Sequence, residues 1–254
     1  MVVRDGCAAV SDQPACHVVG TPSAGGVLII GDHASNRVPP GIDLGIDSAL
    51  LNQHMALDIG VAGVAEAMVA ADPRFAALLG NVSRLVCDFN REDDAPGLVP
   101  RESDGHAIPG NQVDPADVAD RLARFHRPYH VAIEAHLAAT PPALILSLHS
   151  FTPALSSRIE PRPWHVGVLY NQDDRGARAA IPLLAADGLN VGDQLPYSGT
   201  VLNATMNRHA EAHGRLYLGV EVRQDQIGDA AGQAVWAEQL ARVCNTVVRK
   251  IVTN

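Results

Sequence analysis

The most constraining feature of this sequence recurs along it: short apolar runs that stop at a residue with chemistry to offer. Val27-Leu28-Ile29-Ile30-Gly31 is followed at once by Asp32-His33. Arg84–Phe89 leads into Asn90-Arg91, and Ala143–Leu148 into His149-Ser150. Val166–Tyr170 precedes Asn171, while Leu216–Val222 carries Glu221 and runs into Arg223-Gln224-Asp225. Each run is short and bounded by polar or turn-forming residues, so each is read as a strand. Between them lie stretches with helical spacing: Asp47–Ala71, Pro115–Ala139 with Pro128 as an expected kink, Asp174–Ala186, Val201–His213 and Ala230–Val252. Strands alternating with helices predict a mostly parallel sheet with helices on both faces, a three-layer α/β/α arrangement. Ligands of such sheets bind beyond the carboxyl ends of the strands, which is where these polar residues fall.

Composition narrows the possibilities. At 254 residues and 47% hydrophobic, the chain can bury one substantial core, so a single catalytic domain over 1–254 is expected, with 1–24 as an irregular lead-in. Glu92–Asp114, rich in Gly, Pro and acid, reads as a long loop, and loops of this length are uncommon unless functional or mobile. The net charge of -9 and the lack of a basic cluster give no footprint for nucleic acid. No apolar run approaches the ~20 residues that span a bilayer. Met1–Gly20 carries Asp5, Asp12 and Pro14 and has no apolar core, so it is not read as a signal peptide. Cys7, Cys16, Cys87 and Cys244 form no C-x-x-C pair, which argues against a disulfide framework or a cysteine zinc site. A cytoplasmic protein with reduced thiols is expected, as a monomer or homodimer acting on a small acidic molecule.

Two histidines at separate strand ends, His33 and His149, together with a carboxylate, would make a zinc triad with one position open for water. Zinc brings the pKa of such a water to about 7. Glu221 is the candidate general base, and a carboxylate in an apolar strand is expensive unless paired or functional. Arg91 or Arg223 would hold a substrate carboxylate bidentately. The plainer alternatives are that a histidine after a strand caps a loop and that Arg91 pairs with Glu92 or Asp88.

Other histidine pairs point less clearly to metal. His209 and His213 are four apart, but the stretch reads His-Ala-Glu-Ala-His rather than His-Glu-x-x-His. His126 and His130 flank Pro128, and packing or capping is expected of His130. There is no Gly-x-Ser-x-Gly elbow and no phosphate-binding glycine loop, so serine nucleophiles and nucleotide cofactors are not indicated.

Several blocks, in order, resemble the N-formylglutamate amidohydrolase family. They are Gly31-Asp32-His33-Ala34-Ser35-Asn36-Arg37-Val38-Pro39, Leu57-Asp58-Ile59-Gly60, Ser83 to Arg91, Pro128-Tyr129-His130 and Ser147-Leu148-His149-Ser150-Phe151. Asn190-Val191-Gly192-Asp193, Pro196-Tyr197-Ser198-Gly199 and Gly219 to Asp225 complete the set. The resemblance implies a zinc hydrolase related to carboxypeptidases and aspartoacylase, with a mixed, mostly parallel, carboxypeptidase-like sheet. It implies hydrolysis of N-formyl-L-glutamate to formate and L-glutamate, late in histidine degradation. His33 and His149 match the zinc histidines, Asn90-Arg91 the carboxylate-binding pair, and Glu221 the catalytic glutamate. The wider clan's His-x-x-Glu would put the third ligand at Asn36, a poor substitute for a carboxylate. Asp58, placed on the following helix, is the preferred ligand instead. Arg84 and Arg223 are the candidates for a second substrate carboxylate. Alternatives are a related deacylase or carboxypeptidase-like amidase on another small acidic substrate, or a non-catalytic carboxylate-binding protein.

Overall fold

The computed structural model describes residues 13–252. In chain order the strands are β1 (Cys16–Val19), β2 (Val27–Gly31), β3 (Phe75–Gly80), β4 (Glu102–Ser103), β5 (His106–Ala107), β6 (Leu144–Phe151), β7 (Val166–Leu169), β8 (Val191–Asp193) and β9 (Tyr217–Arg223). The helices are α1 (Val61–Ala71), α2 (Pro115–Arg121), α3 (Arg127–Ala139), α4 (Arg175–Ala186), α5 (Ala204–His209) and α6 (Ala230–Val252). Seven strands form one sheet in the order β1-β3-β2-β6-β9-β7-β8. The β1–β3 and β7–β9 pairs are antiparallel and the rest parallel, so the sheet is mixed and mostly parallel as expected.

Both faces are covered, and the strand alternation decides which residue goes where. Val27 and Ile29 of β2, with Leu146 and Leu148 of β6, pack against α1, α4 and α6. Leu28, Ile30 and Ile145 face the other way, toward Phe125, Tyr129, Ile133 and Leu137. α6 meets its face through Trp236, Leu240, Val243, Cys244 and Val247, an amphipathic stripe. Its 23 residues make it the longest helix described, and no helix among the described residues is long and apolar enough to cross a membrane.

The structure corrects four expectations. Arg84–Phe89 is not a strand. The Ser83 hydroxyl accepts from Leu85 N and donates to Ala56 O, and Val86 N returns to Ser83 O, so local bonds satisfy a turn there. The strand lies earlier, at Phe75–Gly80, a wholly buried run without a β-branched residue to announce it. The segment expected to be irregular at 1–24 contributes the edge strand β1; Cys7 and the rest of 1–12 lie outside the described residues. The helix expected over Asp47–Ala71 is a 3-10 turn at Ser48–Asn52 and then α1. Gly60 separates them at φ 85, where a Cβ would sit 2.2 Å from Ile227 O. Asp58 therefore stands in the loop before the helix, not on it. Finally, the long loop 92–114 contains the β4–β5 hairpin and a 3-10 turn at Pro109–Asn111.

Pro128 disturbs its helix in a definite way. Leu122–His126 forms a π-helical turn, with Arg127 N bonded to Leu122 O, before α3 resumes. This turn and α3 lay Leu122, Phe125, Tyr129, Ile133 and Leu137 on one face of the sheet, and Tyr129 reaches Asp32 just past the end of β2.

Candidate metal centre

Strand register assembles the centre. β6 and β9 run parallel with His149 level with Glu221, so the two side chains rise from one face of adjacent strands. On the other side of β6, β2 pairs with Ile30 level with Ser147, which continues to Asp32 beside His149. His33 follows where β2 ends. Its carbonyl accepts from Asp58 N at 2.8 Å, tying the loop before α1 to the same edge.

Three side chains converge there. His33 Nδ1 is 3.3 Å from Asp58 Oδ2, and His149 Nδ1 is 2.8 Å from the same oxygen. One donor atom from each of the three lies within 4.8 Å of the others, and all three residues are buried. The outer nitrogens also face carboxylates: His33 Nε2 meets Asp88 Oδ1 at 2.7 Å, and His149 Nε2 lies 3.4 Å from Asp32 Oδ2. Asp32 is in turn held by the Tyr129 hydroxyl, which donates to Oδ1 at 2.7 Å. Imidazoles backed by carboxylates, with a third carboxylate between them, form a donor set that fits a divalent metal ion with an open position. Charge supports the fit. Asp32, Asp58, Asp88 and Glu221 surround the centre against the cations Arg84 and Arg91; Arg84 bonds Asp58 Oδ1 at 3.3 Å and Asp88 Oδ2 at 3.0 Å, and Arg91 Nε lies 3.9 Å from Asp88 Oδ2.

The same crowding sets the protonation of the metal-free centre. Burial and Arg84 disfavour charge on His33, but Asp88 and Asp58 outweigh them and raise its pKa. Burial also opposes charge on His149, yet Asp32 and Asp58 lift it well above its ordinary value. Burial would raise Asp58, but the two histidines hold it below the usual carboxylate range. Glu221 goes the other way. Burial lifts it to about 7, with His149 pulling it down and the Asp58 charge adding to the rise.

A cavity of about 480 Å³ opens on the centre and is lined by His33, Asp58, His149, Glu221, Asn90 and Arg91, among others. Among the described residues Glu221 has no hydrogen-bond partner, and it lines this space. Asn90 is oriented by Thr205 N, which donates to its Oδ1 at 3.0 Å. Asn36 is elsewhere, bonded to Asn52 at an exposed position.

The family profile described as N-formylglutamate amidohydrolase matches residues 25–228, which spans every strand and loop of the centre. The chain belongs to this family. It is accordingly a hydrolase that acts on amides. A crystal structure of a gene product from Agrobacterium tumefaciens is 28% identical, covers 94% of this chain and 96% of its own, and superposes with a TM-score of 0.87. The crystal structure of N-formylglutamate amidohydrolase from Ralstonia eutropha JMP134 is 18% identical, with 95% and 99% coverage and a TM-score of 0.72, and so shares the fold. No curated protein matches the sequence.

Not all the amidohydrolase's expected site residues meet. Arg84 lines the cavity, but its guanidinium is engaged by Asp58 and Asp88. Arg91 also lines it, with Nε 3.9 Å from Asp88 Oδ2. Arg223 does not line the cavity: it forms a two-point ion pair with Asp225 and donates to the carbonyls of Arg162 and Trp164. Sequence reading passed over Asp32, Asp88, Arg162 and Tyr197 as site residues. Asp32 and Asp88 sit beside candidate residues and could have been raised as the carboxylates that orient metal-bound histidines. Arg162 carries no local signal.

Proposed function

We propose that this amidohydrolase cleaves the amide bond of an N-acyl amino acid, with N-formyl-L-glutamate as the substrate and formate and L-glutamate as products. His33, Asp58 and His149 would hold a zinc ion. Zinc bound there would polarise the amide carbonyl and acidify a water to near neutrality.

The chain's own residues do the rest. Glu221 takes the proton of the attacking water and passes it to the leaving nitrogen. Burial raises this carboxyl above its ordinary value in the metal-free centre, which strengthens it as a proton acceptor. Asp88 and Asp32 hold the outer nitrogens of His33 and His149, which keeps the inner nitrogens directed at the centre. Asn90 and Arg91 bind the substrate's α-carboxylate at the cavity wall. Arg84 positions Asp58 and Asp88 rather than the substrate.

The observation that carries this reading is the pairing of His149 with Glu221 across adjacent strands, beside a buried His-Asp-His group, with Glu221 unpartnered among the described residues and lining the cavity. The test is formate release from N-formyl-L-glutamate by zinc-loaded enzyme. Turnover is expected in the wild type and is expected to vanish on chelation. Full activity in Glu221→Gln would sink the mechanism, because an amide cannot carry the proton.

A further inference from the structure

Arg162 lies in the segment between β6 and β7 and is only 4% exposed, yet no carboxylate among the described residues lies within ion-pair distance of it. Its Nη1 donates to Thr152 O at 3.3 Å and to the Tyr197 hydroxyl at 3.0 Å. The guanidinium carbon stands 5.0 Å from the centroid of the Tyr197 ring. Nε is buried without a partner, and the hydrogen bonds the guanidinium makes among the described residues all come from Nη1. A buried guanidinium without a counter-charge is costly, and a half-used donor fork makes it more so. Arg162 and Tyr197 both line the cavity that holds His149 and Glu221.

The other arginines there are in a different state. Arg84 is engaged by two aspartates. Arg158 is exposed and paired with Glu160. The acids nearest this wall are also committed: Asp104 accepts from Ser156 N, Ser157 N and the Ser157 hydroxyl and sits 3.1 Å from His54 Nε2. Arg162 is thus a fixed, desolvated cation whose free donors await an anion from outside the protein. Tyr197 already accepts from Arg162, so its own hydroxyl hydrogen is available to the same anion.

We propose that Arg162 and Tyr197 form a specificity site for a second substrate carboxylate, so that the enzyme selects N-acyl derivatives of dicarboxylic amino acids. One carboxylate lies on Asn90 and Arg91 and the other on the Arg162 fork. Arg223, which donates to the Arg162 carbonyl, positions this site rather than binding substrate. The assignment rests on the amidohydrolase reading above for which ligand enters the cavity.

The test compares N-formyl-L-glutamate with N-formyl-L-glutamine, its neutral isostere, on the zinc-loaded full chain. In parallel, calorimetry compares binding of L-glutamate and L-glutamine, which needs no turnover. Wild type is expected to favour the dicarboxylate by roughly 100-fold in kcat/KM. Arg162→Gln is expected to bring that ratio close to one, chiefly through KM for N-formyl-L-glutamate, while leaving N-formyl-L-glutamine within about threefold. Arg162→Lys keeps the charge but loses the fork and should fall between them. Tyr197→Phe should lower the ratio by about 5- to 10-fold and serves if Arg162→Gln does not fold. A wild-type ratio near one, or Arg162→Lys and Tyr197→Phe variants that keep the wild-type ratio, overturns the proposal. Selective glutamate binding that Arg162→Gln abolishes, without formate release by the wild type, would sustain this site and refute the deformylase reading.

Discussion

Two clusters of buried histidines lie under the carboxyl edge of the same sheet, and they are built to opposite ends. In the first, every nitrogen of His33 and His149 faces a carboxylate of Asp32, Asp58 or Asp88. In the second, His126, His130 and His209 face mainly carbonyls and one another. His130 Nε2 donates to Phe89 O at 3.1 Å, its Nδ1 lies 2.9 Å from His209 Nε2, and His126 Nε2 donates to Arg91 O at 2.9 Å. The protonation follows the partners. Burial lowers His130 to about 3, with the neighbouring His126 and Arg208 adding to the effect, and lowers His209 to about 4. His33 and His149, equally buried, are raised. Burial alone therefore does not make a histidine a ligand. Paired carboxylates produce a centre that calls for positive charge, and without them the rings become neutral struts. The struts have work of their own, because the carbonyls they hold flank Asn90.

The largest effect expected is at Glu221. Glu221→Gln should retain the metal and lose about 10³-fold or more in kcat, read by formate release alongside metal content. Removing a donor separates the clusters next. Asp58→Ala or His149→Ala should lose the metal, measured by elemental analysis after dialysis, whereas His130→Leu should keep it. A metal-depleted His130→Leu protein would erase the distinction. Smaller still, Asp88→Asn should weaken metal affinity about 10- to 100-fold, because His33 loses the carboxylate that directs it. Competition with a chelator reads that change.

His130→Leu should instead cost about 1–3 kcal/mol of stability in urea, since Phe89 O and His209 lose a buried partner. It should also alter pH dependence. The unfolded histidine takes up a proton below about 6.5. The folded one, depressed to about 3, does not. Stability from this residue is thus fully present above pH 6.5 and declines as pH falls toward 4. Wild type and His130→Leu should converge over that window. Asp93, Arg208 and Asp32 also act on this cluster, and the comparison of the two proteins cancels the part of their effect common to both. A stability gap that does not change with pH would show that His130 is not kept neutral.

Much of the fold was legible because its signals are local. Val27–Gly31, Ala143–Leu148 and Leu216–Val222 are apolar runs that declare strands, and α6 declares itself by its stripe. Phe75–Gly80 was missed because a buried central strand of Ala and Leu resembles a helix segment. The edge strands β1 and β8 owe their conformation to neighbours they meet only in the fold. His33, His149 and Glu221 were legible as candidates because strand ends share one edge, whereas Asn90 was picked out beside a strand that the fold replaces with a turn. Arg223 was misplaced for the same reason: it stands at the end of a strand, but its charge is taken by Asp225 two residues on.

The sequence by itself determined that apolar strands would carry His33, His149 and Glu221 toward their carboxyl ends, and that these ends would share a side of the sheet. Only the tertiary structure decided which charges meet. It brought Asp58 to His149 across 91 positions, left Asn36 bonded to Asn52, and kept Arg162 without a carboxylate. Spacing along a chain sets secondary structure because backbone geometry is periodic. The state of an ionisable group depends on distance through space and on exclusion of water, and neither is periodic in sequence.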